Sequence, residues 1–176
     1  MATVKPTFAK MGLKINSDVK TIVIGEQEIE VKQYLPVNDK LILIGKVINA
    51  AADENNFSNP IKLDIFTCLE IVFAYTNISF TDKQKEDLVK LYDILESNHI
   101  FDQVIEVIPK SEYKQIIEGV QDCSDAIYTY KNSLMGILEM VGQDYSQLNF
   151  DAETIREKMA DPENLAVLKD VMAKMA

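Results

Sequence analysis

A chain of 176 residues with 47% hydrophobic and 26% charged residues has the make-up of an ordinary folded domain, too apolar to stay disordered. Its formal net charge of −10 is unevenly spread: residues 1–50 hold seven lysines against five acids, and residues 51–176 hold eleven basic residues against twenty-three acids. An acidic body of that kind repels phosphate, which argues against direct nucleic-acid binding and against anionic membrane surfaces.

The opening residues, Met1 to Pro6, lack the apolar stretch of a signal peptide, and no apolar run approaches the roughly 18–20 residues that span a bilayer. The expected compartment is therefore reducing cytoplasm, and the sequons at Asn56-Phe57-Ser58 and Asn77-Ile78-Ser79 read as chance matches. Cys68 and Cys123 both fall among apolar residues in helical stretches and read as buried, inert thiols.

Residues 1–20 have no clear period and form an arm, with Phe8, Met11 and Leu13 available for docking. A β-hairpin is expected over 21–35. Thr21 to Ile24 and Glu28 to Leu35 flank a Gly25-Glu26-Gln27 turn, and Ile29 and Val31 alternate with charges. Pro36 ends the second strand. Leu41, Ile44, Val47 and Ile48 then give helix 37–52 one apolar face. After a polar loop, Asn59-Pro60 reads as a cap followed by proline at the first helical position. Helix 60–76 is apolar over most of its circumference and should be central.

Thr81 and Gln84 form a capping box for helix 82–98, and a short helix over 100–108 stops at Pro109. Ser111 is the expected cap of the longest helix, 112–142, which Gly142 ends. Its apolar residues Tyr113, Ile116, Val120, Cys123, Ile127, Tyr130, Leu134, Ile137 and Val141 alternate three and four apart, as in a coiled-coil seam. That seam either packs within one bundle or pairs partly with a partner, a homodimer included. Asp151 caps a short helix to Met159, and Asp161-Pro162 starts a last one over 162–175. The expected fold is mainly α: a bundle of six or seven helices with an N-terminal β-hairpin, residues 21–176 forming one domain behind the arm.

Motifs for chemistry are sparse. His99 is the single histidine, no nucleophile motif surrounds either cysteine, and one Glu96-x-x-His99 cannot build a di-metal site. His99 reads instead as a helix-end residue. Zinc spacing, a complete calcium loop and a Gly-rich phosphate loop are all missing from the sequence. No catalytic, metal or cofactor residue is assigned. What remains are surfaces. Glu118, Asp122 and Asp125, spaced four and three apart, place three carboxylates on one helix face, either an ordinary solvated face or a site for a basic protein partner. The hairpin edges offer a second surface that another chain could extend.

The run from Glu28 to Ile44 (EIEVKQYLPVNDKLILI), a strand leading straight into a helix, resembles the opening of phage tail assembly chaperones. The segments Asn59-Pro60-Ile61-Lys62 and Tyr75 to Asp87 (YTNISFTDKQKED) resemble proteins encoded by phages and prophages of Firmicutes. The chaperone resemblance implies a cytoplasmic factor that binds a tape-measure or tail-tube subunit by covering apolar surface, without chemistry. Capped helices continuing to the end depart from that pattern, whose C-terminal region is often looser. Two alternatives share the phage origin. One is an anti-CRISPR-like inhibitor occupying the DNA-binding groove of a basic host nuclease; the other is a head or neck accessory component retained in the virion.

Overall fold

The computed structural model describes residues 7–54 and 57–137, in which the chain is mainly helical with an antiparallel hairpin near its N-terminus. The chain divides into two units, Met1–Thr129 and Tyr130–Ala176.

In the first unit, strands β1 (Val19–Ile24) and β2 (Gln27–Lys32) pair with Ile24 opposite Gln27 and Val19 opposite Lys32. Gly25 and Glu26 connect them. Gly25 takes φ +63°, a left-handed conformation at the first turn position that a side chain would strain. Ile22, Ile24, Ile29 and Val31 face inward, with Val31 fully buried. The hairpin starts earlier than expected and ends at Lys32, not Leu35. The backbone N–H of Leu35 leaves the ladder to donate to Glu112 Oε2 at 3.1 Å.

Helix α1 (Val37–Ala51) buries Lys40, Leu43, Val47 and Ala51. Of the expected face, Val47 is buried and Ile44 and Ile48 pack half-buried against the core, whereas Leu41 is 62% exposed. Lys40 beside it is buried instead. Its ammonium donates to Glu112 Oε1 at 2.9 Å and to Gln115 Oε1 at 2.7 Å, and lies 4.9 Å from the centre of the Tyr34 ring. Periodicity counts apolar residues, so it cannot see a lysine turned inward by a buried carboxylate.

Helix α2 (Pro60–Tyr75) starts where expected, with Asn59 Oδ1 accepting from the backbone N–H of Ile61 and Lys62 at 2.9 and 3.2 Å. It packs along α1 and against the two helices that follow the capping-box segment. Leu69, Ile71, Val72 and Tyr75, each at most 1% exposed, form the centre of the core with Val31, Leu35, Leu43 and Val47. After Tyr75 the chain closes the outer edge of β2. Val31 bridges Thr76, Asn77 N donates to Glu30 O, and Glu30 N donates to Asn77 Oδ1 at 3.1 Å.

The Thr81–Gln84 capping box is formed. The helix it starts is short, however. Asp87 takes φ −123° and ψ 78°, breaking the expected helix 82–98 into α3 (Asp82–Glu86) and α4 (Leu88–Ser97). Asp87 then caps α4, its carboxylate accepting from Lys90 N at 3.0 Å. An acid able to satisfy a helix N-terminus competes with its own place in a helix interior. His99, at φ +55°, closes α4 through its backbone N–H to Glu96 O at 2.9 Å and opens α5 (Ile100–Val107). It is a helix-end residue, as its position suggested.

Helix α6 (Lys110–Lys131) begins directly after Pro109, whose carbonyl accepts from Glu112 and Tyr113, so the start lies ahead of Ser111. Its seam holds only in part. Ile116 and Val120 are buried, but Cys123 is exposed, which corrects the expectation of two buried thiols. Beyond Val120 the helix carries Ile127, half-buried, and Tyr130, 51% exposed.

The second unit is described over 130–137. The expected unbroken helix ends at Lys131. Ser133 Oγ accepts from Gly136 N at 3.2 Å and caps a further turn over 134–137. A Cβ on Gly136 would lie 2.3 Å from the Tyr130 carbonyl, so only glycine lets this turn fold back so closely. The expected end at Gly142 and the helices at 151–159 and 162–175 lie outside the described residues. Among the described residues, no helix is long and apolar enough to cross a membrane.

Glu112 is satisfied by three donors, the Lys40 ammonium, the Leu35 N–H and the Tyr75 hydroxyl at 3.2 Å. Deleting one member of a buried ion pair costs about 3–5 kcal/mol, whereas replacing both by apolar residues costs far less. Glu112→Ala should accordingly lower stability by about that amount in urea titrations. The double variant Lys40→Met/Glu112→Leu should be the more stable of the two. If the single and double variants unfold at the same urea concentration as the parent, the pair has no such role.

Candidate functional site

Helix α2 is too apolar to bury every side with one neighbour. Its Leu69, Val72 and Tyr75 go to the core, while Leu63, Asp64, Thr67 and Cys68 line a groove whose other wall is Tyr113, Ile117, Val120, Gln121, Ser124 and Asp125 of α6. This groove holds about 500 Å³, with Pro60 at one end. That volume is in the range of ligand sites, roughly 300–1,000 Å³. Thr67 adds no unmet polarity, because its hydroxyl donates back to Leu63 O at 2.6 Å.

The floor is apolar and the rim acidic. Asp64 on α2 and Asp125 on α6 are both exposed. The charge of Asp64 is felt inside. The Cys68 thiol is pushed up to about 11, first by burial and then by the charges of Glu96, Asp64 and Asp102. The Tyr113 hydroxyl is raised by burial, then by Cys68 and Asp64. A thiol held so far above neutral pH is protonated and a poor nucleophile. The groove therefore favours apolar matter carrying positive charge at its edge.

Of the three acids singled out in the sequence, Asp125 lines this groove, while Glu118 and Asp122 do not. All three side chains are exposed on α6. Glu118 Oε1 lies 3.4 Å from Lys114 Nζ, an exposed pair that contributes little to stability. Sequence reading missed Asp64 and Ile117. Asp64, a lone acid between Leu63 and Ile65, carried a faint signal, but no spacing rule says which face of α2 meets which face of α6.

The buried Glu112 cluster is not a second site, because its carboxylate is already engaged by three donors. Tyr75 within it has its hydroxyl raised well above the usual phenol range, by burial first and then by the Glu112 charge and hydrogen bond. His99 Nδ1 sits 3.5 Å from Asp102 Oδ2, both side chains largely in solvent. Among the described residues, no three His, Cys, Asp or Glu side chains converge as a metal site would require.

These environments set a reactivity order. Exposed Cys123 should be alkylated quickly at neutral pH and half-buried Cys68 slowly. In a Cys123→Ser background the Cys68 rate should climb about tenfold per pH unit until the pH nears the thiol pKa, because only the thiolate reacts. Asp64→Asn should shift that curve to lower pH by removing a charge that disfavours the thiolate. Equal rates for the two cysteines at neutral pH would contradict the raised Cys68 thiol.

No family model, no curated protein and no solved structure was found to match this chain.

Proposed function

We propose that this protein is a non-catalytic binding factor of the phage tail assembly chaperone kind, holding an apolar segment of another protein in the α2–α6 groove. The observation that carries the reading is the pairing of an apolar floor, built from Leu63, Ile117 and Val120, with the acidic rim of Asp64 and Asp125. Apolar surface supplies affinity through burial, at roughly 25 cal/mol per Å². The rim selects segments with flanking lysine or arginine and rejects acidic ones. A tape-measure or tail-tube subunit before assembly presents apolar surface of this kind, and covering it prevents aggregation without any covalent step. The bacterial host cytoplasm is the compartment this reading requires.

Co-expression with the tail-tube or tape-measure protein of the same genome should raise the soluble fraction of that subunit and allow co-purification. Ile117→Asp, which puts a charge on the groove floor, should abolish both effects while circular dichroism stays unchanged. Equal insolubility of every tail protein with and without this chain would end the chaperone reading.

A second reading rests on a separate observation, the exposure of Glu118, Asp122 and Asp125 along one face of α6. Such a face suits a basic groove that normally takes phosphate, as in a host defence nuclease. Replacing all three acids by lysine should then weaken nuclease binding and flatten its salt dependence, since exposed charges act through a screened field. Affinity unchanged by the triple substitution would remove this face from consideration.

A further inference from the structure

Two complementary features are uncovered at the hairpin. The first is the outer edge of β1. Glu30 turns its N–H and C=O away from β1 and toward Asn77. Thr21, opposite Glu30, therefore turns its own N–H and C=O off the far edge, and Val19 and Val23 do the same by alternation. Among the described residues, no group meets these six backbone atoms. Val19 and Val23 are 48% and 63% exposed, and Lys20 is the single charge on the strand. A β-branched edge with so little protection is a template for another strand.

The second feature is the arm. Every residue from 7 to 20 is exposed, including Phe8 at 75%, Met11 at 50%, Leu13 at 63% and Ile15 at 73%. Residues 7–17 hold Lys10 and Lys14 and no acid. At the turn end of β1 lies an open hollow of about 400 Å³, lined by Ile24, Ile94, Leu95 and Ile100 with Asn98 and Gln103. The turn beside it carries Glu26, and Glu28 follows at the start of β2.

We propose that two copies of this chain associate through β1 in antiparallel fashion, with Thr21 on the two-fold axis and each arm lying over the hollow of the other copy. The register follows from the edge itself. Val19, Thr21 and Val23 are symmetric about Thr21, so this alignment alone lets all three outward-facing residues find outward-facing partners. Val19 then meets Val23 of the second copy, and Thr21 meets its own counterpart. Lys20 meets Ile22, so no like charges are opposed. The chain direction carries residues 13–17 past the turn of the second copy, bringing a basic, apolar arm to an acidic turn and an apolar hollow.

The strand pair alone is small beside the roughly 800 Å² per partner of a specific interface, and the arms enlarge it. The contact is self-complementary, so it closes at two copies and leaves no free β1 edge. The acidic β2 strands lie outermost in the resulting four-stranded sheet. None of this depends on the α2–α6 groove.

Sedimentation velocity of the full chain should show a dimer that dissociates on dilution. Thr21→Pro should be monomeric at every concentration. The N–H it removes points away from β2, so the hairpin ladder survives. Cysteine pairs test the register, in a Cys68→Ser/Cys123→Ser background. Thr21→Cys should be joined to its counterpart by a short bifunctional thiol reagent, since hydrogen-bonded antiparallel partners hold their Cα atoms about 5.5 Å apart. Val19→Cys and Val23→Cys should each cross-link poorly alone and well when mixed. A parent chain that stays monomeric, a folded Thr21→Pro variant that still dimerises, or a Thr21→Cys variant that does not cross-link would each overturn the proposal. Should Thr21→Pro fail to fold, the cysteine set decides by itself.

Discussion

A single buried carboxylate holds the first unit together. Glu112 on α6 takes one hydrogen bond from the Lys40 ammonium of α1, one from the backbone where β2 runs into α1, and one from the Tyr75 hydroxyl at the end of α2. Four parts of the chain, separated by up to 77 residues, are thereby fixed to one another. A carboxylate and an ammonium taken out of water lose several kcal/mol of solvation each, and only a fully bonded geometry offsets that loss. Here the geometry is full: among the described residues no buried side-chain nitrogen or oxygen lacks a partner. The pair thus acts less as a source of stability than as a rule against other arrangements, because any slip of α1 or α6 strands a charge.

Around this cluster the rest is set by burial. With Tyr75 held at its hydroxyl, α2 presents Leu69, Ile71 and Val72 to the core and leaves Leu63 and Cys68 on the side toward α6. Because α6 is anchored at Glu112, Ile116 and Val120, its start lies close against the core, and from Cys123 onward its residues are exposed or half-buried. Gly119 belongs to that close approach. A Cβ there would come within 2.6 Å of the Ile44 side chain of α1. The groove and its acidic rim are thus by-products of how two helices are pinned, not of a local motif.

Some of this was legible from residues alone. Asn59-Pro60 and the Thr81–Gln84 box state their meaning within four residues, since a cap satisfies nearby N–H groups and depends on nothing distant. Gly25 between two β-branched runs did the same for the hairpin. Failures came where a residue answered to a distant partner or to a rival local use. Leu41 was expected on the buried face, yet it is exposed and Lys40 beside it is buried against Glu112. Asp87 looked like a helix interior and became a cap. The α6 seam read as continuous because spacing records which residues are apolar, not whether anything lies opposite them. Asp125 was singled out as one of three surface acids, and nothing in its neighbours could pair it with Asp64 on another helix.

The sequence by itself therefore determined the class of fold, most helix starts, the hairpin turn and the acidic character of the helical body, all consequences of short-range hydrogen bonding, steric preference and composition. Tertiary structure alone decided that α1 buries Lys40 and not Leu41, where α6 leaves the core, which carboxylates border a groove and which strand edge is left open. Those outcomes depend on contacts between residues tens of positions apart, and a linear pattern holds no record of who meets whom.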